Sequence, residues 1–387
     1  MKDVHTALDD AQAMRHADRE LLSLALMHAR NCTLAWLALL EPHAAQVPTR
    51  LDPAWWLAGR AGWWQERWIA RNVERARGSA ADLTRAPLAS IEPEADAWWA
   101  QAPLRGTPAP DTLRAYLAES LDITLDLLQR AGDSDDALHW FRAALFKEDA
   151  LVLRFAALAQ AARATAARAL LPPRTLRAVR PPIWWPAQRW HLGSERGGFV
   201  PATECWAHEE PVPEFEIDAQ AVTWQQFAEF VEDGGYDEPA HWGAEGWQWV
   251  EREGRRTPRD VEQLRNGVLL QRFGQLVRAP AAEAVSPLAW YEADAWCRWA
   301  GRRLPTEIEW ELAASRGASR GFIWGDVPEW TAGRARYWEE GAAAAPNQRV
   351  QRGVAWLEPR RLAHPKARRF VAPERDDGFA GFRSCAP

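Results

Sequence analysis

Apolar residues recur at helical spacing as far as about residue 170 and at no sustained spacing after about residue 190. This change limits the chain to architectures with two dissimilar halves, and its 387 residues also exceed what one hydrophobic core ordinarily supports. In the first half, residues 18–41 set Leu22, Leu26, Ala29, Cys32, Trp36 and Leu40 at helical spacing. Asp52 before Pro53 reads as an N-cap and a first-turn proline, opening a helix expected to reach Arg77 and stop at Gly78. A proline- and alanine-rich loop follows from Ser79 to Pro110. Asp111 is expected to cap a third helix ending near Gly132, and Ser134 a fourth that reaches Ala167. Four helices with one long crossover predict a bundle over residues 1–175.

The prolines at 172, 173, 181, 182 and 186, with Trp184 and Trp185 among them, exclude regular helix and predict an interdomain strap over residues 176–189. From residue 190 to 387 the segments are short, and two helices stand out. One runs from Thr223 to Asp233 before Gly234 and Gly235, the other from Tyr291 to Trp299 before Gly301. A domain so poor in long elements has to be held by buried aromatics and loop hydrogen bonds, and the chain carries 25 tryptophans to do it. The overall class is therefore α+β.

The formal net charge of -6 argues against nucleic-acid or anionic-membrane partners. No apolar run approaches the roughly 20 residues of a membrane span. The polar opening, with Lys2, Asp3, His5, Asp9 and Asp10, predicts no signal peptide. Four scattered cysteines (Cys32, Cys205, Cys297 and Cys385) form no C-x-x-C pair, and a reduced, cytoplasmic setting is expected.

Several strings in the second half carry a family resemblance: Trp-His-Leu-Gly-Ser at 190–194, Val222-Thr223 with Phe227 and Phe230, and Pro-Leu-Ala-Trp-Tyr-Glu-Ala at 287–293. Gly-Arg-Arg-Leu-Pro-Thr-Glu-Ile-Glu-Trp-Glu at 301–311 is the most specific; Trp-Gly-Asp-Val-Pro-Glu-Trp-Thr at 324–331 and Gly381-Phe382-Arg383 follow in order. On these, residues 190–387 resemble the formylglycine-generating-enzyme (sulfatase-modifying-factor) domain, a variant of the C-type-lectin fold. With a DinB-like four-helix bundle in front, the layout resembles the ergothioneine sulfoxide synthases and selenoneine synthases. Residues 25–31, 63–68 and 141–146 look closest to the selenoneine branch.

The resemblance implies a mononuclear iron(II) enzyme that uses oxygen to join sulfur or selenium to trimethylhistidine. Its iron sits on one imidazole from a Gly-His-x-x-Trp stretch and two from a His-Glu-x-x-His stretch. Here those stretches read Gly59-Arg60-Ala61-Gly62-Trp63 and Lys147-Glu148-Asp149-Ala150-Leu151. Arg60, Lys147 and Leu151 offer a permanent cation, an ammonium and a hydrocarbon in place of three neutral nitrogens. No iron or other cofactor is expected. His28 and Cys32, four apart on one helix, are the pair that a relocated metal would use, and they lack a third ligand.

Two cations where a dication sat require an acidic companion, with Glu66, Glu148 or Asp149 as internal candidates and an anionic ligand as the external one. Trp63 and Trp64 offer indole faces that would suit a quaternary ammonium group. Asp326, Glu329 and Trp330, in the segment that lines the substrate cleft of the resembling enzymes, complete the expected binding set. Pro328 stands where the resembling sequences carry tryptophan. Three readings follow. One is a degenerate homologue that binds a small molecule in the interdomain cleft or an active relative; the second is a working synthase with a relocated metal. The third is metal-free chemistry by Lys147 as base or amine nucleophile.

Overall fold

The computed structural model describes residues 4–101, 108–165, 169–339 and 343–387. It divides into two compact units. The first comprises Met1–Leu171 with Gly197–Val200 and Leu357–Leu362; the second comprises Pro172–Arg196, Pro201–Trp356 and Ala363–Pro387.

The first unit is helical. After two short helices, Val4–Leu8 and Ala11–Arg15, come α1 (Arg19–Leu40), α2 (Ala54–Gln65), α3 (Ala95–Trp99), α4 (Pro110–Gln129), α5 (Asp135–Asp149) and α6 (Leu151–Ala161). Asp18 caps α1 by accepting from the Leu21 amide, and Ser134 caps α5 by accepting from Ala137, so these starts follow local side-chain chemistry. The α1 stripe of Leu22, Leu26, Ala29, Trp36 and Leu40 is buried as its spacing requires.

Four expectations need correction. The second helix does not reach Arg77: it leaves α geometry after Gln65 through a π turn, Glu66–Ala70, closed by the Arg71 amide on the Glu66 carbonyl (2.8 Å). The reason is tertiary. The buried Glu66 carboxylate accepts from Ser90 Oγ (2.9 Å), the Ile91 amide (2.7 Å) and Tyr116 Oη (2.6 Å), which pulls that turn into the core. The long loop contains α3, whose Trp99 is fully buried against Tyr116 because Gly59 leaves room for its indole. The fourth helix is interrupted at Ala150, and α6 ends at Ala161; the expected end at Ala167 lies outside the described residues, as do part of the 79–110 loop and the side chain of His5. Asp111 sits in the first turn of α4 but does not cap it; Ala109 holds that position and Pro110 follows, and the helix stops at Gln129.

In the second unit, part of the expected strap over 176–189 is strand, and the rest has no regular structure. Residues Ile183–Trp185 (β1) pair antiparallel with Phe215–Ile217 (β4), and Gln188–Leu192 (β2) with His208–Val212 (β3). Val261–Gln263 (β5), Leu269–Arg272 (β6) and Gln275–Arg278 (β7) form a meander. The largest sheet has the order β10-β9-β8-β11, built from Arg368–Val371, Arg349–Arg352, Glu329–Arg334 and Gly381–Phe382. Four helices accompany them: α7 (Trp224–Glu232), α8 (Ala244–Glu253), α9 (Trp290–Trp299) and α10 (Glu307–Arg316). Thr223 and Thr306 open α7 and α10 with capping boxes completed by Gln226 and Glu309.

The core holds Trp224, Phe227, Phe230, Trp330 and Phe382, all 0% exposed, as a domain poor in long elements requires. Buried ion pairs tie the loops together. Arg352 meets Glu311 (2.8 Å), Arg368 meets Glu307 (2.7 Å) and Arg383 meets Glu329 (2.5 Å). Among the described residues no helix is long and apolar enough to cross a membrane.

Candidate functional site

The two cations singled out on the bundle each stand beside indoles. Arg60 and Trp63 lie one turn apart on α2, and the Arg60 guanidinium carbon stands 5.2 Å from the ring centres of both Trp56 and Trp63. One Arg60 Nη donates to the Trp99 carbonyl. Lys147, in the last turn of α5, places Nζ 5.9 Å from the Trp64 ring centre. Trp64 belongs to an indole cluster with Trp68 (6.3 Å) and Trp140 (6.0 Å), and Trp68 and Trp140 are stacked at 5.3 Å.

The electrostatics reflect this company. Burial lowers the Arg60 pKa, partly offset by Asp52. Loss of hydration at the amine, then the Arg60 charge, lower the Lys147 pKa, although the Lys147 residue as a whole is exposed. Among the described residues Lys147 has neither an ion pair nor a hydrogen bond.

None of the three expected acids pairs with these cations, which corrects the sequence expectation; the acid that acts on Arg60 is Asp52, itself paired with Arg154. Glu66 is engaged by Ser90, Ile91 and Tyr116. Glu148, 2% exposed, takes both prongs of Arg30 (2.8 and 3.1 Å) and Gln65 Nε2 (2.9 Å). Asp149 takes both prongs of Arg361 at 2.6 Å. Its burial raises the Asp149 pKa to about 6 despite that partner. The penalty anticipated for two unpaired buried charges is relieved in another way: Lys147 reaches solvent, and Arg60 is sandwiched by indoles and a carbonyl.

Arg30 and Arg361, which take Glu148 and Asp149, are not among the residues the sequence motifs point to. A signal existed for Arg30, which falls on the apolar stripe of α1 between Leu26 and Thr33; a charge there must have a buried partner. Arg361 carried no such signal.

The donor set does not fit iron. A guanidinium on a carbonyl and the Leu151 hydrocarbon supply no lone pair, and Lys147 offers one nitrogen at most, when deprotonated, where the iron needs three. At the alternative pair, Cys32 Sγ lies 3.9 Å from the His28 ring nitrogens, and Arg361 Nη2 donates to His28 Nδ1 (3.2 Å), occupying the lone pair a metal would need. Burial lowers the His28 pKa and raises that of Cys32. No group of three or more His, Cys, Asp or Glu side chains assembles for a metal among the described residues.

In the second unit two expected contact residues are structural. Glu329 is buried, accepting from Trp310 Nε1 (2.8 Å) and Arg383 (2.5 and 2.7 Å). Trp330 is fully buried, its Nε1 donating to the Leu288 carbonyl (2.9 Å). These neighbours on β8 point to opposite faces of the sheet, and both are buried because both faces are covered there, which the motif alone does not show. Asp326 is half-buried and grips Arg177 through two bonds of 3.0 and 3.1 Å.

Residues 183–326 match the sulfatase-modifying factor enzyme 1-like domain, and this defines the class of the second unit. The chain is also 30% identical over 236 residues to the hercynine oxygenase of Mycolicibacterium smegmatis, covering 46% of this chain and 54% of that protein. It is 30% identical over 176 residues to the formylglycine-generating enzyme of Mycobacterium tuberculosis, covering 36% and 53%. The inactive C-alpha-formylglycine-generating enzyme 2 of Mus musculus is 35% identical over 161 residues, covering 36% and 49%. The chain thus spans about half the length of the curated relatives it matches.

Proposed function

We propose that this chain is a homologue of the ergothioneine-pathway oxygenases that has exchanged iron for the recognition of an anionic small molecule at Arg60 and Lys147. The similarity to hercynine oxygenase and the domain match support the kinship, and the three stretches at 25–31, 63–68 and 141–146 support descent from the selenoneine branch. One observation carries the binding reading: Lys147 has no ion pair among the described residues and lies within reach of the Arg60 charge, while Glu66, Glu148 and Asp149 are all committed to other partners.

The same geometry favours an anion over a quaternary ammonium group. The indoles of Trp56, Trp63 and Trp64 already carry Arg60 and Lys147, and these two positive charges repel a quaternary ammonium group. A carboxylate or phosphate fits both the charge and the donors.

Elemental analysis of the purified protein, with titrations of succinate and inorganic phosphate, tests the reading. Sub-stoichiometric iron is expected, with saturable anion binding that Arg60→Ala abolishes while the circular dichroism spectrum stays unchanged. Stoichiometric iron, or anion binding indifferent to Arg60→Ala, overturns it. The triple change Arg60→His, Lys147→His, Leu151→His should confer iron uptake.

A second reading rests on the lowered Lys147 pKa, which favours a free amine. A borohydride-trapped pyruvate adduct at Lys147 would replace the binding role with imine chemistry.

A further inference from the structure

The stretch 172–182, at the start of the second unit, is held down by side chains alone. It has no regular structure and makes no backbone-to-backbone hydrogen bond among the described residues. Its apolar side chains do not anchor it either, since Leu176 and Val179 are 56% and 69% exposed. Arg174 lies across the face of Trp356, its guanidinium carbon 3.7 Å from the ring centre, and donates to Glu283 (2.7 Å) and Ser286 Oγ (3.3 Å). Arg177 grips Asp326 through two bonds. Trp356 Nε1 donates to the Pro172 carbonyl (3.0 Å).

The seat of Arg174 is firmer than its occupant. Glu283 is buried and also compensated by Arg272 (2.6 and 3.3 Å), so it keeps a partner whether or not Arg174 is there. Its backbone is fixed on both sides, the amide on the Pro280 carbonyl (3.0 Å) and the carbonyl under the Trp224 amide (2.9 Å). Trp356 packs edge-on against Phe379 (5.4 Å between ring centres), and its amide donates to the Asp326 carbonyl (3.2 Å), which joins the two seats. Arg174 itself is poorly satisfied. Loss of hydration, then the charge of Arg272, lower its pKa to about 9, and its Nε is buried without an acceptor among the described residues.

Without the strap the site would keep two carboxylates, Glu283 and Asp326, against the single guanidinium of Arg272, with an indole face and a hydroxyl beside them. Those groups are complementary to a guanidinium. We propose that residues 172–180 are a releasable strap, and that Glu283, Ser286, Trp356 and Asp326 form an arginine-recognition site that the strap keeps shut. When the strap lifts, a guanidinium-bearing ligand takes the seats of Arg174 and Arg177. Free guanidinium compounds and the arginine side chains of a peptide share this chemistry.

The double change Arg174→Ala, Arg177→Ala vacates both seats in the full chain and leaves Glu283 paired with Arg272. By calorimetry this variant should bind Nα-acetyl-arginine methylamide saturably. The parent should bind it about tenfold more weakly or worse, because its tethered arginines compete at an effective concentration in the millimolar range. The uncharged citrulline counterpart should bind neither protein. Thermolysin reads the strap directly, since Leu176 and Val179 are exposed. Cleavage there should be about tenfold faster in the variant, and the arginine derivative, but not citrulline, should accelerate it in the parent. Tighter binding of the acetylated, amidated tetrapeptide Arg-Thr-Leu-Arg than of the single derivative would assign the site to peptides; equal or weaker binding would assign it to free guanidinium compounds. No saturable heat with a variant whose circular dichroism spectrum matches the parent's, or equal binding of the citrulline probe, overturns the proposal. So does cleavage of the parent that the arginine derivative leaves unchanged, a result that needs no variant.

Discussion

Replacing Glu148 by leucine should damage the first unit more than any surface change, and the structure sets the size of the effect. Arg30 and Glu148 are 1% and 2% exposed and meet through two parallel bonds of 2.8 and 3.1 Å. Gln65 adds a third bond to the same carboxylate, while Arg30 also donates to the Leu117 carbonyl and to Ser120 Oγ. Without the carboxylate, the guanidinium stays charged and buried, a situation that costs about 3–5 kcal/mol. A domain's whole stability is commonly about 5–15 kcal/mol, so the unit would be left near its margin.

Removing both charges is different, because apolar side chains of similar volume need no partner. Arg30→Met with Glu148→Leu should lie within about 2 kcal/mol of the parent, far less than the sum of the single changes. Arg30→Met alone strands the buried carboxylate in the same way and should cost a similar amount. Urea unfolding followed by far-ultraviolet circular dichroism reads the helical unit, and the second unit's transition serves as the internal reference. A Glu148→Leu penalty below about 1 kcal/mol, or additive single changes, would refute the reasoning.

Two further outcomes are expected. Burial lifts Glu292 from 4.5 to about 7, even though Tyr236 Oη (2.5 Å) and the Ala289 amide (2.7 Å) both donate to it. The folded state thus holds a proton that the unfolded chain releases. Stability from this group is complete below about pH 4.5 and falls by about 3 kcal/mol as the pH passes 7, so the difference in urea midpoint between parent and Glu292→Gln should change over that window; a pH-independent difference would contradict it. Gly59→Ala should lower the melting temperature of the first unit by an amount equivalent to about 1–3 kcal/mol, since a Cβ there overlaps the buried Trp99 indole; an unchanged melting temperature would mean Trp99 can move aside.

What the sequence determined by itself is what depends on near neighbours along the chain. Ser134 caps a helix and Thr223 completes a capping box with Gln226, because those bonds reach no further than three residues. The α1 stripe is buried because periodicity alone selects a face, and Arg60 and Lys147 fall on helices for the same local reasons. Tertiary structure decided the partner of every important charge. Arg30 finds Glu148 across 118 residues and Arg361 finds Asp149 across 212, and nothing local encodes either choice. That competition withdrew all three candidate carboxylates from the Arg60–Lys147 pair. It also drew Glu66 into the core, opening the π turn that ends α2, and the packed fold covers both faces of β8, burying Glu329 and Trp330. Helix starts are short-range hydrogen-bonding decisions, whereas a buried charge must be satisfied by whatever the completed fold brings beside it.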